Sequence, residues 1–326
     1  MTQKVLFLDG DGVGPFVINA AERVLSAIDE SIEVVHGEIG RSAYDNTGLY
    51  MPHDTLDLID ECQTILCGPT IVPESGKDPV ANLSVQLDLY ARAREYRTLA
   101  SDLGHGETDV ILWGVNNNVA AEITEVPDLD GIAVTKHIRN NSYSRMMGAA
   151  LNDVELRKFE KIGCITRDDF FPVSSGLFAE SFDSMFPPYR YETRIMNVKQ
   201  WSSETIRKPT WAQCILCVDL YSQVAASVLG GVTGFNHLAP KYFVGNEYIL
   251  YKPCNRPMYE EMESRYVNPT SAIMSIAIIL RKSGKIEEFE ALVKAVKDAY
   301  AAGERTPDVG GTLSCSDFTD RVIGHL

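Results

Sequence analysis

Residues 213–227 read QCILCVDLYSQVAAS, a short apolar run that turns directly into a helical pattern. The run 214–220 has the length of a buried strand. The segment after it opens a helix that Gly230 and Gly231 are expected to end. Similar apolar runs at 5–8, 32–35, 64–70, 109–113 and 162–166 alternate with helical or turn-rich segments. Such alternation implies an α/β chain whose mostly parallel sheet is covered by helices on both faces. In such sheets ligands gather where strands end and helices begin, so the turn inside 213–227 is expected to face a site.

At 326 residues the chain exceeds one compact core and fits two domains of about 150 residues each. A hydrophobic share of 45% and a charged share of 23% are those of an ordinary globular protein. The net charge of −15 excludes a general binder of nucleic acid or acidic membrane, which needs a basic face. It leaves room for a small anion in a local basic pocket. No apolar run approaches the roughly 18 residues of a membrane span. The opening MTQKVLFLDG enters a strand without a charged leader, and the seven scattered cysteines suit reduced thiols, so a cytoplasmic location is expected. Cys214 and Cys217 form a CxxC, but on a strand their side chains point to opposite faces, which predicts buried packing rather than a metal or redox pair.

Several stretches carry candidate chemistry. The turn DGDGVGP at 9–15 has G-x-G-x-G spacing and a proline directly after it, so it reads as a tight strand-to-helix turn rather than a dinucleotide fingerprint. The stretch SVQLDLYARAREYR at 84–97 reads as helical. On a helix Asp88 and Arg92 pair at i,i+4, and Arg94 and Arg97, one turn apart, either lie on the surface or jointly grip a carboxylate. Three asparagines, 116–118, either bind a polar ligand or make a turn. Residues 122–137 alternate and carry Asp-Gly, which suits a projecting β-hairpin.

The pieces LDGDGVGP, DLYARAR, SSGLF, VNPTSAIMSIAIIL and TPDVGG…FTDRVIGHL occur in the order found in the metal-dependent β-decarboxylating dehydrogenases. The chain resembles that isocitrate/isopropylmalate dehydrogenase family from about residue 4 to its end. The resemblance implies a two-domain α/β fold that is not a Rossmann fold. One domain would join residues 1–90 to 235–326, and a central domain would span 91–234. An arm at 122–137 would clasp a second copy in a homodimer.

The resemblance also tests each functional position. Arg94 matches a substrate-carboxylate arginine, with Arg97 a basic position near it, while Asn116 is a candidate substrate contact from its place at a strand end alone. Other family arginines fall at Ser84 and Gly114, and the family tyrosine near Ala121 is missing. The catalytic lysine falls at Arg167, which stays protonated and is a poor proton shuttle. Two metal aspartates fall at Gln223 and Ser227 and the third, from the partner copy, near Lys199, or at Asn197 if the alignment slips by two. These groups offer a divalent ion no anionic oxygen, so no metal is expected. In the nicotinamide loop, Asn255 replaces a histidine and Arg256 a glycine, while Glu260 and Asn268 keep weaker matches. NAD is expected to bind weakly if it binds.

Together these changes predict a small carboxylate or phosphate held without metal in a cationic cleft by Arg94, Arg97, Arg167, Lys199 and Lys252. Standard oxidative decarboxylation is expected to be lost. A non-catalytic partner of an active paralogue and an atypical NAD-dependent dehydrogenase are the competing readings.

Overall fold

The alternation read in the sequence builds one long sheet. A computed structural model describes residues 3–74, 76, 78–139, 141–209, 211–218, 221–257 and 264–326. The chain opens with β1 (Lys4–Leu8), α1 (Gly14–Ile28), β2 (Glu33–Gly37), α2 (Arg41–Thr47), α3 (His53–Cys62), β3 (Thr64–Cys67) and α4 (Pro79–Gln86). The middle adds β4 (Ala91–Arg97), β5 (Asp109–Val115), α5 (Asn117–Ala120), β6 (Ala121–Pro127), β7 (Ile132–Ile138), α6 (Ser142–Leu156), β8 (Lys161–Thr166), α7 (Pro172–Met185), β9 (Glu192–Asn197), α8 (Val198–Arg207), β10 (Cys214–Cys217) and α9 (Ser222–Thr233). The last part holds β11 (Lys241–Val244), β12 (Ile249–Lys252), α10 (Thr270–Lys282), α11 (Ile286–Ala301) and α12 (Cys315–Gly324).

Ten strands form a single sheet in the order β2-β1-β3-β12-β11-β4-β5-β10-β8-β9. Both ends are parallel, and β11 and β4 in the middle run against their neighbours. This is the mostly parallel α/β sheet that the alternation implied.

The two sheet faces are packed differently. One face carries a continuous core that reaches from Val5 and Phe7 through Ala91 and Trp113 to Cys164 and Cys214, with α10 and α11 against it. The opposite face carries two separate cores. Leu6, Leu8, Ile65, Phe243 and Leu250 belong to one, and Tyr96, Val110, Leu112, Cys217 and Ala225 to the other. Cys214 and Cys217 thus sit in different cores and are both buried, as alternation on a strand requires.

The stretch 84–97 is not one helix. Helix α4 stops at Gln86, Asp88 takes a left-handed φ of 46°, and the chain enters β4. ARAREYR alternates with period two, and its pairing on both sides by β5 and β11 overrides its helix propensity. Asp88 pairs with Arg145 instead of Arg92. Arg94 and Arg97 fall on opposite faces and cannot share a carboxylate. The second correction concerns α9, which runs through Gly230 and Gly231 to Thr233. Gly230 is there for space, because a Cβ would come within 2.8 Å of the Asn236 Cα.

The turn at 9–15 is a tied loop. Gly10 and Gly12 have φ of 72° and 60°, and the Asp11 carboxylate accepts from the backbone N–H groups of Ser42 and Ile71. Strands β6 and β7 form a separate two-stranded hairpin. Its Ile123, Val126, Leu129, Ile132 and Val134 are exposed. Among the described residues, no helix is long and apolar enough to cross a membrane.

Candidate functional site

Between the two cores, one sheet face is lined by cations. Antiparallel register puts Lys241 opposite both Arg94 and Lys252, and Arg92 opposite Gly114, so their side chains rise from the same face. Arg92, Arg94 and Lys241 border a small cavity of about 50 Å3 with Gln223, Gly114 and Ala226. Arg94 also borders a larger cleft of about 770 Å3 with Asn236, Cys254, Asn255, Arg256, Asn268 and Asp308.

The two arginines are held by neutral groups. Arg92 Nη2 donates to Ser222 Oγ at 2.7 Å. Arg94 donates to Asn236 Oδ1 at 2.7 Å, to Tyr96 Oη at 3.3 Å and to Cys254 Sγ at 2.8 Å. Its Nε is buried without a hydrogen-bond partner among the described residues. Lys241 has no hydrogen bond or ion pair among the described residues. Of these cations, only Lys252 reaches a carboxylate among the described residues, Asp78, at 3.4 Å, while it also donates to Thr70.

Crowded cations shift each other. Burial first, and then Lys252, Arg94 and Arg92, bring the Lys241 ammonium down to about 8, while Cys254 pulls the other way. Lys136 on the hairpin falls to about 8, through burial and then Arg92. Burial and Arg94 also lower Arg92. A bound anion would relieve all three.

The expected site residues separate into two groups. Arg94 and Gln223 line the cationic pocket, and Arg92 and Lys241 join them. Arg97 leaves it, pairing with Asp109 at 2.7 Å and covering the Phe289 ring on the other face. Arg167 and Lys199 meet on one carboxylate, Asp169, at 2.7 and 2.6 Å. Arg167 also lies over the Phe170 and Tyr221 rings. Their charges are already compensated. Asn116 is 3% exposed, donates to Leu89 O and accepts from the Asn118 N–H as the cap of α5. Ser227 donates back to Gln223 O.

Asn255 and Asn268 lie in the large cleft but are tied to structure. Asn255 Nδ2 donates to Asn268 O, and Asn268 Nδ2 donates to Tyr300 and Asp308. Arg256 is exposed at the rim. Glu260, like Asp219 in the turn of 213–227, lies outside the described residues.

The positions read as metal ligands carry an amide, a hydroxyl and an ammonium already bound to Asp169. That donor set does not fit a divalent cation. A nicotinamide nucleotide fits the cleft only in part. Asn255, Asn268 and Asp308 line a space of adequate volume, yet the two asparagine side chains are spent internally.

Lys241 and Arg92 were missed as site residues because 84–97 reads as a helix. The alternating ARAREYR, set opposite the strand that carries Lys241, was the signal for both.

Comparison with known proteins agrees with this architecture. The isocitrate/isopropylmalate dehydrogenase family model matches residues 4–322. A 3-isopropylmalate dehydrogenase of Sulfurisphaera tokodaii is 26% identical over 335 residues, covering 99% of this chain and 98% of that one. An isocitrate/homoisocitrate dehydrogenase of Thermus thermophilus is 26% identical over 334 residues, covering 100% and 99%. Among solved structures, isocitrate dehydrogenase from Methylococcus capsulatus superposes with a TM-score of 0.87 at 19% identity, covering 99% of both chains. The β-decarboxylating dehydrogenase from Thermococcus kodakarensis gives 0.88 at 20% identity, covering 99% of this chain and 96% of that one. The chain belongs to the isocitrate/isopropylmalate dehydrogenase family.

Proposed function

We propose that the cleft binds a small di- or tricarboxylate without a divalent metal, and that the chain does not perform metal-assisted oxidative decarboxylation. The observation that carries this reading is the cluster of Arg92, Arg94 and Lys241, with no carboxylate bonded to any of them among the described residues. Three cations gathered on one face without anions lose Coulomb energy that a ligand would restore.

The register supports a transfer of function between strands. The family arginine absent at Gly114 would begin where Arg92, its cross-strand neighbour, now reaches. A Cβ at Gly114 would lie 3.8 Å from Arg92 Nη2. Arg92 then supplies a guanidinium to the same space from the adjacent strand. Bound carboxylates held this way stabilise an enolate on a related acid, the chemistry left to a site without metal.

The surrounding architecture follows the same reading. Residues 1–90 with 235–326 act as one domain and 91–234 as the second, closing over the cations. The exposed apolar hairpin at 121–138 clasps a second copy, giving a homodimer in the cytoplasm.

A nicotinamide-dependent reaction is the second reading, favoured by the size of the cleft between Asn255 and Asp308 and by the relatives' names. A regulatory partnership with an active paralogue is the third. Thermal unfolding with isocitrate, 3-isopropylmalate and oxalate, each with and without Mg2+ and NAD, separates them. The proposal expects a carboxylate to raise Tm without Mg2+, by an amount equivalent to about 2.7 kcal/mol at a hundred times Kd. Stabilisation that requires Mg2+ and NAD, with formation of reduced nicotinamide, would overturn it. Co-purification with an intact paralogue, with no carboxylate effect, would favour the third reading.

A further inference from the structure

Six of the seven cysteines, Cys62, Cys67, Cys164, Cys214, Cys217 and Cys315, are buried, and Cys254 alone is partly open. Burial pushes the Cys67 and Cys315 thiols up to about 12 and raises the other four as well. Those six are poor nucleophiles, because a thiol reacts as its thiolate.

Cys254 sits in an open setting beside cations. It follows β12 by two residues, on the face that carries Lys252, and lines the large cleft. Arg94 Nη2 lies 2.8 Å from its sulfur and is the donor, since a guanidinium has nothing to accept with. The backbone N–H of Cys254 is held by Ser271 Oγ at 3.2 Å, which fixes the sulfur beside Arg94. Lys241, an enclosed ammonium over the Phe243 ring with no hydrogen bond or ion pair among the described residues, stands close enough to interact with the same sulfur. A negative sulfur here has a cation at contact and another nearby, and the cleft gives a reagent access to it.

We propose that Cys254 is a nucleophile and the covalent attachment point for small carboxylic acids that carry an electrophilic carbon next to the carboxylate. This rests on reading the cleft as an anion site, because Arg92, Arg94 and Lys241 would hold the carboxylate while the sulfur attacks. With a 2-oxo acid, the thiolate forms a C–S bond to the carbonyl carbon. The C=O π pair moves to oxygen, which takes a proton from the Lys241 ammonium and leaves a neutral amine and a hemithioketal. With iodoacetate the C–S bond forms as the C–I bond breaks, and iodide leaves with the bonding pair.

Iodoacetate and its neutral analogue iodoacetamide make the test. The full-length protein is treated with each, the modified cysteine is mapped by mass spectrometry, and both rates are compared with free cysteine. The expected result is modification at Cys254 first. Iodoacetate should be favoured over iodoacetamide by about tenfold more than on free cysteine, equivalent to about 1.4 kcal/mol. Lys241→Met should reduce that preference while leaving iodoacetamide able to label, and Cys254→Ser should abolish the fast phase. Labelling of Cys254 no faster than free cysteine by either reagent would overturn the nucleophile and leave the anion site standing. Fast labelling with the free-cysteine ratio of the two reagents would leave a reactive thiol but overturn the anion site, and with it the carboxylate attachment point.

Discussion

Arg92 and Ser222 join the middle strand of the sheet to the first turn of α9, through a 2.7 Å bond from Nη2 to Oγ. Ser222 is buried at the start of that helix, so the guanidinium is aimed at the space beside Gly114. Arg92→Ala should therefore weaken carboxylate binding by about 1–3 kcal/mol, the range of charge-assisted hydrogen bonds. Ser222→Ala should weaken it less, because it releases the arginine without removing its charge. Titration calorimetry with isocitrate or oxalate reads both. Equal affinity in wild type and Arg92→Ala would remove the arginine from the site.

Lys241 gives the site a pH signature. Its ammonium is lowered to about 8 from an ordinary 10.5, by burial first and by three neighbouring cations after it. Between these values the unfolded chain binds more protons than the folded one, so the lysine's contribution to stability rises with pH across that window. A bound carboxylate raises the lysine again, so binding takes up a proton near pH 8 and affinity falls as pH climbs above it. Calorimetry in buffers of different ionisation enthalpy should show the uptake, and Lys241→Met should remove it.

Much of this architecture is written in the chain. The alternation of apolar runs and helices specifies the parallel strands, and the Asp-Gly at 130–131 marks the hairpin. The site is legible only in part. Arg94 and Gln223 stand where motif spacing puts them, but Arg167 and Lys199 find their counter-charge in Asp169 two residues from Arg167. A list of cations does not reveal which ones are already paired. Lys241 emerges only from strand register, which brings it beside Arg94 from 147 residues away.

That pairing yields a contrast between two arginines. Among the described residues Arg94 bonds only neutral groups, and burial opposes its charge while Cys254 and Tyr96 favour it. Arg167 is bound to Asp169 and lies outside the cationic pocket. Arg94→Ala should cost about 1–3 kcal/mol of carboxylate affinity. Arg167→Ala and Lys199→Ala should leave it unchanged. A loss in Arg167→Ala as large as that in Arg94→Ala would show that Asp169 does not neutralise it and would move the binding site toward β8.

Behind the cationic face, the same strand anchors a buried ion network. Glu95, on the side of β4 away from Arg94, binds Arg281 through both oxygens and lies 3.3 Å from Arg157. Nearby, Asp153 accepts from Tyr242 at 2.7 Å and from Lys282 at 2.6 Å, so α6 and α10 are both tied to the middle of the sheet. Burial pushes the Glu95 carboxyl up, but Arg281 and then Arg157 outweigh it and hold the carboxyl well below the usual range. The network thus adds stability above the ordinary carboxylate value of 4.5 and loses it as pH falls below that value. Glu95→Ala strands the buried Arg281 guanidinium, leaves Arg157 with Asp109 alone, and should cost about 3–5 kcal/mol in urea unfolding. The double variant Glu95→Met with Arg281→Met should be less unstable than the sum of its single changes, since each removes the other's unpaired charge. Both proteins, where folded, should keep the wild-type affinity for oxalate, because the network and the cations occupy opposite faces of β4. Loss of oxalate binding in a folded Glu95→Ala protein would show instead that the network positions Arg94 through the strand they share.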